Sequence, residues 1–295
     1  LPEYPKISIV TPSYNQARFI EETILSVLGQ GYPNLEYIIM DGGSTDDSAA
    51  IIKKHEKHLA FWVSEKDNGQ AAAINTGFKR STGDILLWLN SDDMLMPNVL
   101  HFIAEKVKEL GDALFFGDCI HFRKQKGGVL DAWGSNVAAD SRDLDLATFD
   151  YIIQPSSFWT RGVWEATGSL NELLHFGFDW EWFLRTQQVG TRFHFVDRAL
   201  SLYRYHSDHK SQAGGQKRQN ELLEIYTRFS PEKAKLYALL MGEQNQPRSI
   251  KYRVIRKMKA AAKISHDYAD LLASAHPARY GKFSKEDMRL LIRML

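Results

Sequence analysis

Asp92 and Asp93 stand side by side where an apolar run, Ile85 to Leu89, ends in Asn90-Ser91-Asp92-Asp93. Adjacent carboxylates repel each other unless a cation or a hydrogen-bonded ligand offsets the repulsion, so the pair reads as a divalent-metal site. The same letters also read as a helix start, because Asp caps helices and Pro97 follows. Asp41, ahead of Gly42-Gly43, could accept hydrogen bonds from a uracil or a ribose, or serve as an ordinary turn residue. Asn15, after Pro12-Ser13-Tyr14, could help bind a nucleotide or form an Asx turn. Asp179 and Glu181 lie among Phe176, Phe178, Trp180 and Trp182, where desolvation would suit a carboxylate to general-base work. Two residues apart, they cannot share one helix face, and Asp179 is equally readable as a helix cap. His206 and His209 lack the partners of a zinc site and could complete an oxygen-rich metal site or lie on the surface.

These residues need a scaffold that brings strand ends together. Ile85 to Leu89, apolar throughout, predicts a strand buried on both faces. Lys6 to Val10, Leu35 to Met40, Phe61 to Ser64 and Ala113 to Asp118 read as further strands. Between them, Ile20, Ile24, Val27 and Leu28, then Ile51 and Ile52, then Ala71 to Phe78, then Val99, Ile103, Val107 and Leu110 mark helices. Strands alternating with helices predict parallel βαβ units, whose carboxyl edge forms a ligand crevice. Further on, Gly127-Gly128 suggests a hairpin, and Ile152 to Trp159, Phe193 to Val196 and Leu200 to His206 read as strands. Asp179 opens a helix, and helical patterns take over from Gln216.

The 295 residues, 44% hydrophobic and 25% charged, fit a globular protein, and no run approaches the ~18–20 apolar residues of a spanning helix. Pro2, Glu3, Pro5 and Lys6 break up any signal-peptide core at the start. The single Cys119 allows neither an intrachain disulfide nor a cysteine zinc site, which fits a reducing, cytoplasmic setting. From Arg248 onward twelve Lys and Arg face four Asp and Glu, a charge of +8, against −7 for the preceding 247 residues. The basic run Lys251, Arg253, Arg256, Lys257, Lys259 and Lys263, interleaved with apolar residues, could lie on an anionic membrane or be a solvated helix on the body. No G-x-G-x-x-G, G-x-x-x-x-G-K-[ST] or G-x-S-x-G motif is present, which disfavours dinucleotide-binding, P-loop and serine-hydrolase chemistry.

In their order and spacing, these segments resemble the inverting, GT-A-fold glycosyltransferases of family 2, from Ile7 to about Ser211. Ser8 to Asn15 looks like the family's opening strand and nucleotide loop, which implies donor contacts at Thr11, Pro12, Tyr14 and Asn15. Asp41-Gly42-Gly43-Ser44-Thr45-Asp46 is similar to its second loop, whose leading Asp contacts the base, with Gly43 beside it. Asn68-Gly69-Gln70 resembles the third loop. Asn90-Ser91-Asp92-Asp93 stands in the place of the metal-binding D-x-D, with Asn90 at the first acidic position, Asp93 on the metal and Asp92 on the ribose or metal. Phe178-Asp179-Trp180-Glu181 resembles the Glu-Asp catalytic motif, which puts Asp179 in the base position with Glu181 as the other choice. Tyr203-Arg204-Tyr205-His206 looks like the late segment whose His completes metal or diphosphate binding.

The resemblance implies an α/β GT-A fold, a mostly parallel mixed sheet flanked by helices. A catalytic domain of residues 1–212 (nucleotide-sugar half 1–118, acceptor half 119–212) precedes a helical extension, 213–295, basic from 248. It implies Mn²⁺ or Mg²⁺, a nucleoside diphosphate sugar donor such as a UDP-sugar, and a glycan or lipid-linked acceptor. The reaction it implies is inverting and part of bacterial polysaccharide synthesis, without nucleic acid as a partner; with the cysteine count and the basic tail, the expected setting is the cytoplasm, with room for peripheral contact at the inner face of the membrane. Asp118 and Gln154 are candidates for sugar or acceptor contacts. A nucleotidylyltransferase, expected to carry a Gly-rich basic loop after its first strand, and a catalytically silent sugar-binding protein are the competing readings.

Overall fold

The computed structural model describes residues 2–124, 128–206, 210, 214–244 and 265–295. Its elements fall into two compact units, residues 1–142 with 151–210, and residues 143–150 with 211–295.

The first unit is built on a sheet of nine strands among the described residues: β1 (Ile7–Ser13), β2 (Leu35–Asp41), β3 (Phe61–Ser64), β4 (Ile85–Trp88), β5 (Met94–Leu95), β6 (Leu114–Lys124), β7 (Leu130–Gly134), β8 (Ser157–Thr160) and β9 (Phe193–Arg204). Their order is β3-β2-β1-β4-β8-β6-β9-β5, with β7 paired on β6. β3, β2, β1 and β4 run parallel, β8 lies antiparallel between β4 and β6, and β9 runs parallel to β6. Strands as apolar as Ile85–Trp88 need cover on both faces, and all four of these residues are buried. On one face Ile7, Ile9, Ile39, Ile85 and Leu87 pack with Ile20, Ile24 and Val27 of α1 (Ile20–Leu28) and Val99, Ile103 and Val107 of α4 (Val99–Leu110). α2 (Ser48–Lys54) joins the same layer through Ile52.

The other face carries α3 (Gln70–Arg80) and an aromatic cluster. A Cβ on Gly77 would collide with Val10 Cγ1, so glycine lets α3 lie close on β1. Trp88, Trp159, Trp182 and Phe78 are fully buried, with the Trp159 and Trp182 rings 4.7 Å apart. α6 (Arg161–Thr167) and α7 (Phe178–Gln188) supply Trp164 and Trp182 to it.

Two expectations are revised. β1 does not stop at Val10 but runs on through Thr11, Pro12 and Ser13, because β4 pairs with it only as far as Val10 and a proline beyond that point breaks no ladder on that side. The two late strands are one, β9, bent by a register shift opposite Gly117–Cys119. Residues 125–127, where the sequence predicts a hairpin turn around Gly127, lie outside the described residues, as do His209 and the basic run from 248 to 263.

α5 (Val137–Asp143) leads out of the first unit. The second unit contains α8 (Gly215–Phe229), α9 (Pro231–Gln244), α10 (Ser265–Ala275), α11 (Pro277–Tyr280) and α12 (Lys285–Met294). Leu222, Ile225, Tyr226, Leu236, Tyr237 and Leu291 are among its buried residues, and the Tyr226 hydroxyl donates to Thr148 O at 2.9 Å.

Candidate active site

The carboxyl ends of β1, β2, β3 and β4 share one edge of the sheet, so the loops that follow them meet there. Asn15 adopts a left-handed backbone (φ 53°), and its side-chain oxygen accepts from Thr45 N–H at 2.8 Å while its own N–H donates to Ser44 Oγ at 2.8 Å. Asn tolerates this conformation, and here it ties the first loop to the second. Tyr14 beside it is 60% exposed, whereas Thr11 and Pro12 are buried, with Thr11 Oγ1 3.1 Å from the Tyr37 hydroxyl.

Asp41 is 2% exposed and fully engaged by neighbours. Its Oδ2 accepts from Ser44 N–H at 2.9 Å and Ser64 Oγ at 2.6 Å, and its Oδ1 from Ser44 Oγ at 2.6 Å. The carboxylate thus shapes the loop that follows β2. Gly43 has φ +79° and passes so close to Lys66 N that a side chain would crowd it. Asn68 is exposed on the third loop.

Asn90, Ser91, Asp92 and Asp93 form a turn closed by Asp93 N–H to Asn90 O, 3.1 Å. Asn90 explains its own identity. Its amide oxygen accepts from Gln70 Nε2 at 2.8 Å and its amide nitrogen donates to Gln154 Oε1 at 3.4 Å, while Gln154 Nε2 donates to Trp88 O at 2.7 Å. A carboxylate could accept the first of these bonds but not donate the second. Lys210 extends the chain by donating to Gln70 Oε1 at 2.8 Å, and its ammonium lies 5.3 Å from the Phe178 ring at the start of α7.

The two carboxylates are unlike. Asp93 is 2% exposed, and its Oδ1 accepts the Arg204 backbone N–H at 3.1 Å. Burial, then the Asp92 charge, push its carboxyl well above the usual carboxylate range, against the opposing pull of the Arg204 N–H and the Asn90 amide. Asp92 is the more accessible, its side chain 19% exposed, with Oδ2 3.0 Å from His206 Nε2. The His206 ring also packs on Phe19 at 4.6 Å. Ser91 is buried in the same turn.

Whether these groups suit a cation can be judged from their chemistry. A buried carboxylate raised by its neighbour's charge is a group that a cation would relieve, and two oxygens with one imidazole suit a hard or borderline divalent ion. Among the described residues no three His, Cys, Asp or Glu side chains cluster closely enough to hold a metal ion. The protein donors therefore fit a partial site, with phosphate oxygens or water filling the remaining positions, as Mg²⁺ sites ordinarily do.

Asp179 is half-buried in the first turn of α7, after Gly177 in a left-handed conformation, where the helix dipole favours a negative charge. Glu181 lies elsewhere. It is 2% exposed and paired through both oxygens with Arg185 Nε at 2.9 and 3.0 Å, and Arg185 also donates to Thr167 O and Ser169 O. Glu181 thus fastens α7 to the loop before it through Arg185. Asp118, at the β6 bulge, accepts from Ser135 Oγ at 3.2 Å. Cys119 next to it is buried, and burial pushes its thiol up to about 12.

Sequence reasoning passed over Ser64, Lys210 and Arg204. The last carried a signal, a charged residue closing a largely apolar strand directly before Tyr205-His206.

The sheet order and the acidic turn at its edge define a GT-A-type scaffold. TarS from S. aureus in complex with UDP-GlcNAc superposes with a TM-score of 0.59 at 15% identity, over 98% of this chain and 79% of that one. A mannosyltransferase, PcManGT from Pyrobaculum calidifontis, in complex with GDP-Man and Mn²⁺, gives 0.61 at 17% identity, over 99% and 87%. At such identities the likeness shows the fold alone. The chain belongs to glycosyl transferase family 2, whose family model matches residues 8–161. Chondroitin synthase from Escherichia coli is 28% identical over 193 residues, 64% of this chain and 28% of that protein. The putative teichuronic acid biosynthesis glycosyltransferase TuaG of Bacillus subtilis is 36% identical over 117 residues, 38% of this chain and 46% of that protein. The chain spans less than half the length of the curated relatives it matches.

Proposed function

We propose that the chain transfers a sugar from a nucleoside diphosphate sugar, with a UDP-sugar as first choice, to a hydroxyl of a glycan or lipid-linked acceptor in bacterial polysaccharide synthesis, with inversion at the anomeric carbon. The observation that carries this reading is the Asp92–His206 pair at the carboxyl edge of β4, joined through Asn90, Gln70 and Lys210 to the helix that opens with Phe178-Asp179.

The first and second loops, locked together by Asn15, cradle the nucleotide. Asp92, with His206 behind it and Asp93 beneath, would hold Mn²⁺ or Mg²⁺, which when bound offsets charge on the departing diphosphate. Asp92 takes the outward position on exposure, and Asp93 supports it. Asp179 accepts the proton of the acceptor hydroxyl as the new glycosidic bond forms, a contribution of typically about 10²–10⁴-fold. Gln154, bonded to Asn90, and Asp118 are the candidates for contacts with the donor sugar or the acceptor. The names of TarS, PcManGT, chondroitin synthase and TuaG support the choice of donors and pathway.

The experiment offers the purified protein a panel of UDP-, GDP- and dTDP-sugars with Mn²⁺, Mg²⁺ or EDTA and candidate acceptors, and measures nucleoside diphosphate release and product anomeric configuration. Release of pyrophosphate instead would assign a nucleotidylyltransferase. No release with any donor would favour a silent sugar-binding protein.

A further inference from the structure

We infer that Arg204 is the positioning residue of the acidic turn, fixing Asp92 and Asp93 in the geometry that accepts a divalent cation; this rests on the metal reading of that turn. Its backbone N–H donates to Asp93 Oδ1 at 3.1 Å. Its Nε donates to the Asp92 carbonyl at 3.0 Å. One terminal nitrogen pairs with the Glu22 carboxylate on α1 and lies 3.9 Å from Met94 Sδ. The guanidinium plane is held between two rings, with its carbon 4.9 Å from the Phe19 centroid and 4.7 Å from that of Phe122. Phe19 also packs on His206, so the same ring braces the arginine and the imidazole that meets Asp92.

The chemistry of these contacts matters more than their number. The guanidinium takes the Asp92 carbonyl rather than either carboxylate, so the side chain orients the turn while only the backbone N–H engages a carboxylate oxygen, Asp93 Oδ1. Its charge would otherwise oppose a metal nearby, and Glu22 offsets it. α1 holds the next peptide of the turn, since Thr23 Oγ1 donates to Asp93 O at 2.7 Å. A lysine could pair with Glu22 but not also present a flat, directed donor to the carbonyl from between two rings.

The test titrates Mn²⁺ alone into the full-length protein, with and without UDP, following bound metal by calorimetry and by the Mn²⁺ paramagnetic resonance signal. R204K, R204A and E22Q are compared with the wild type, and metal-free melting curves and far-UV spectra report folding. R204K is expected to lose about 10–100-fold in Mn²⁺ affinity, as outer supporting groups of metal sites do, while retaining wild-type affinity for UDP without metal. E22Q should lose less. Wild-type Mn²⁺ affinity in R204K would overturn the proposal even if its melting temperature fell, and R204K decides the matter if R204A fails to fold. A wild type that binds no Mn²⁺, alone or with UDP, would remove the metal reading itself and the clamp with it.

Discussion

At single residues, the carboxylates divide by surroundings rather than by letter. Asp179, in the first turn of α7, is the proton acceptor in the proposed reaction, so D179N should lower turnover about 10²–10⁴-fold while leaving the calorimetric affinity for UDP unchanged. Asp93 behaves differently. Its folded pKa lies above the unfolded value, so the stability tied to it is complete below the unfolded carboxylate pKa and is lost as pH rises through the folded one. In metal-free protein D93N should therefore melt above the wild type at pH 8, by about 2–4 °C for each kcal/mol relieved, with the gap closing toward pH 4. Saturating Mn²⁺ should reverse that order, and a wild type that melts above D93N at pH 8 in EDTA would contradict the account. Asn90 was legible as a departure from the family pattern but not as a hub, because its partners Gln70 and Gln154 are 20 and 64 positions away in the chain. The surroundings of Glu181 were half legible for a related reason: its partner Arg185 was visible one helical turn on, but whether such a pair is buried depends on what packs over it.

At the level of elements, the parallel half of the sheet was readable because each strand is an apolar run and each helix shows one apolar face. The limits of β1 and β9 were not, since pairing with β2 and β6 sets them and no local letter records it. The close seating of α3 on β1 rests on Gly77, and G77A should destabilise the protein by about 1–3 kcal/mol in urea titration, because the added methyl meets the buried, β-branched Val10 side chain rather than the far end of a flexible one. Glu36 couples β2 to β1 and to the turn before β4. Burial alone would raise its carboxyl, but the Ser8 hydroxyl, the Thr82 N–H and hydroxyl, and the Lys6 charge hold it below the usual range. Its contribution is present above the unfolded pKa and disappears as pH falls through the lower, folded value. E36Q should thus be less stable than wild type at pH 7, by about 1 kcal/mol, and should lose less on acidification from pH 5 to pH 3, as measured by denaturant midpoints.

For the whole molecule, the charge contrast between body and tail was plain in composition, whereas the packing of the last helices was not. Residues 265–295 belong to the second unit, with Ala269, Met288 and Leu291 fully buried. A membrane test is better made by substitution than by truncation. Replacing Lys251, Arg253, Arg256, Lys257, Lys259 and Lys263 with Gln should abolish sedimentation with liposomes containing phosphatidylglycerol if this segment carries the contact, without moving the melting temperature. Unchanged sedimentation would assign the charge to a solvated surface.

The eight residues 143–150 have a consequence for synthesis. They leave the ribosome between two portions of the first unit yet belong to the second, where Leu146 and Phe149 are buried and the Arg293 guanidinium lies 4.3 Å from the Phe149 ring. At about 5–20 residues per second, the rest of their unit begins to emerge only some 3–12 s later. For that interval two apolar side chains on a nascent chain lack the partners they will bury against, which makes this short stretch a candidate for chaperone capture and for sensitivity to translation rate.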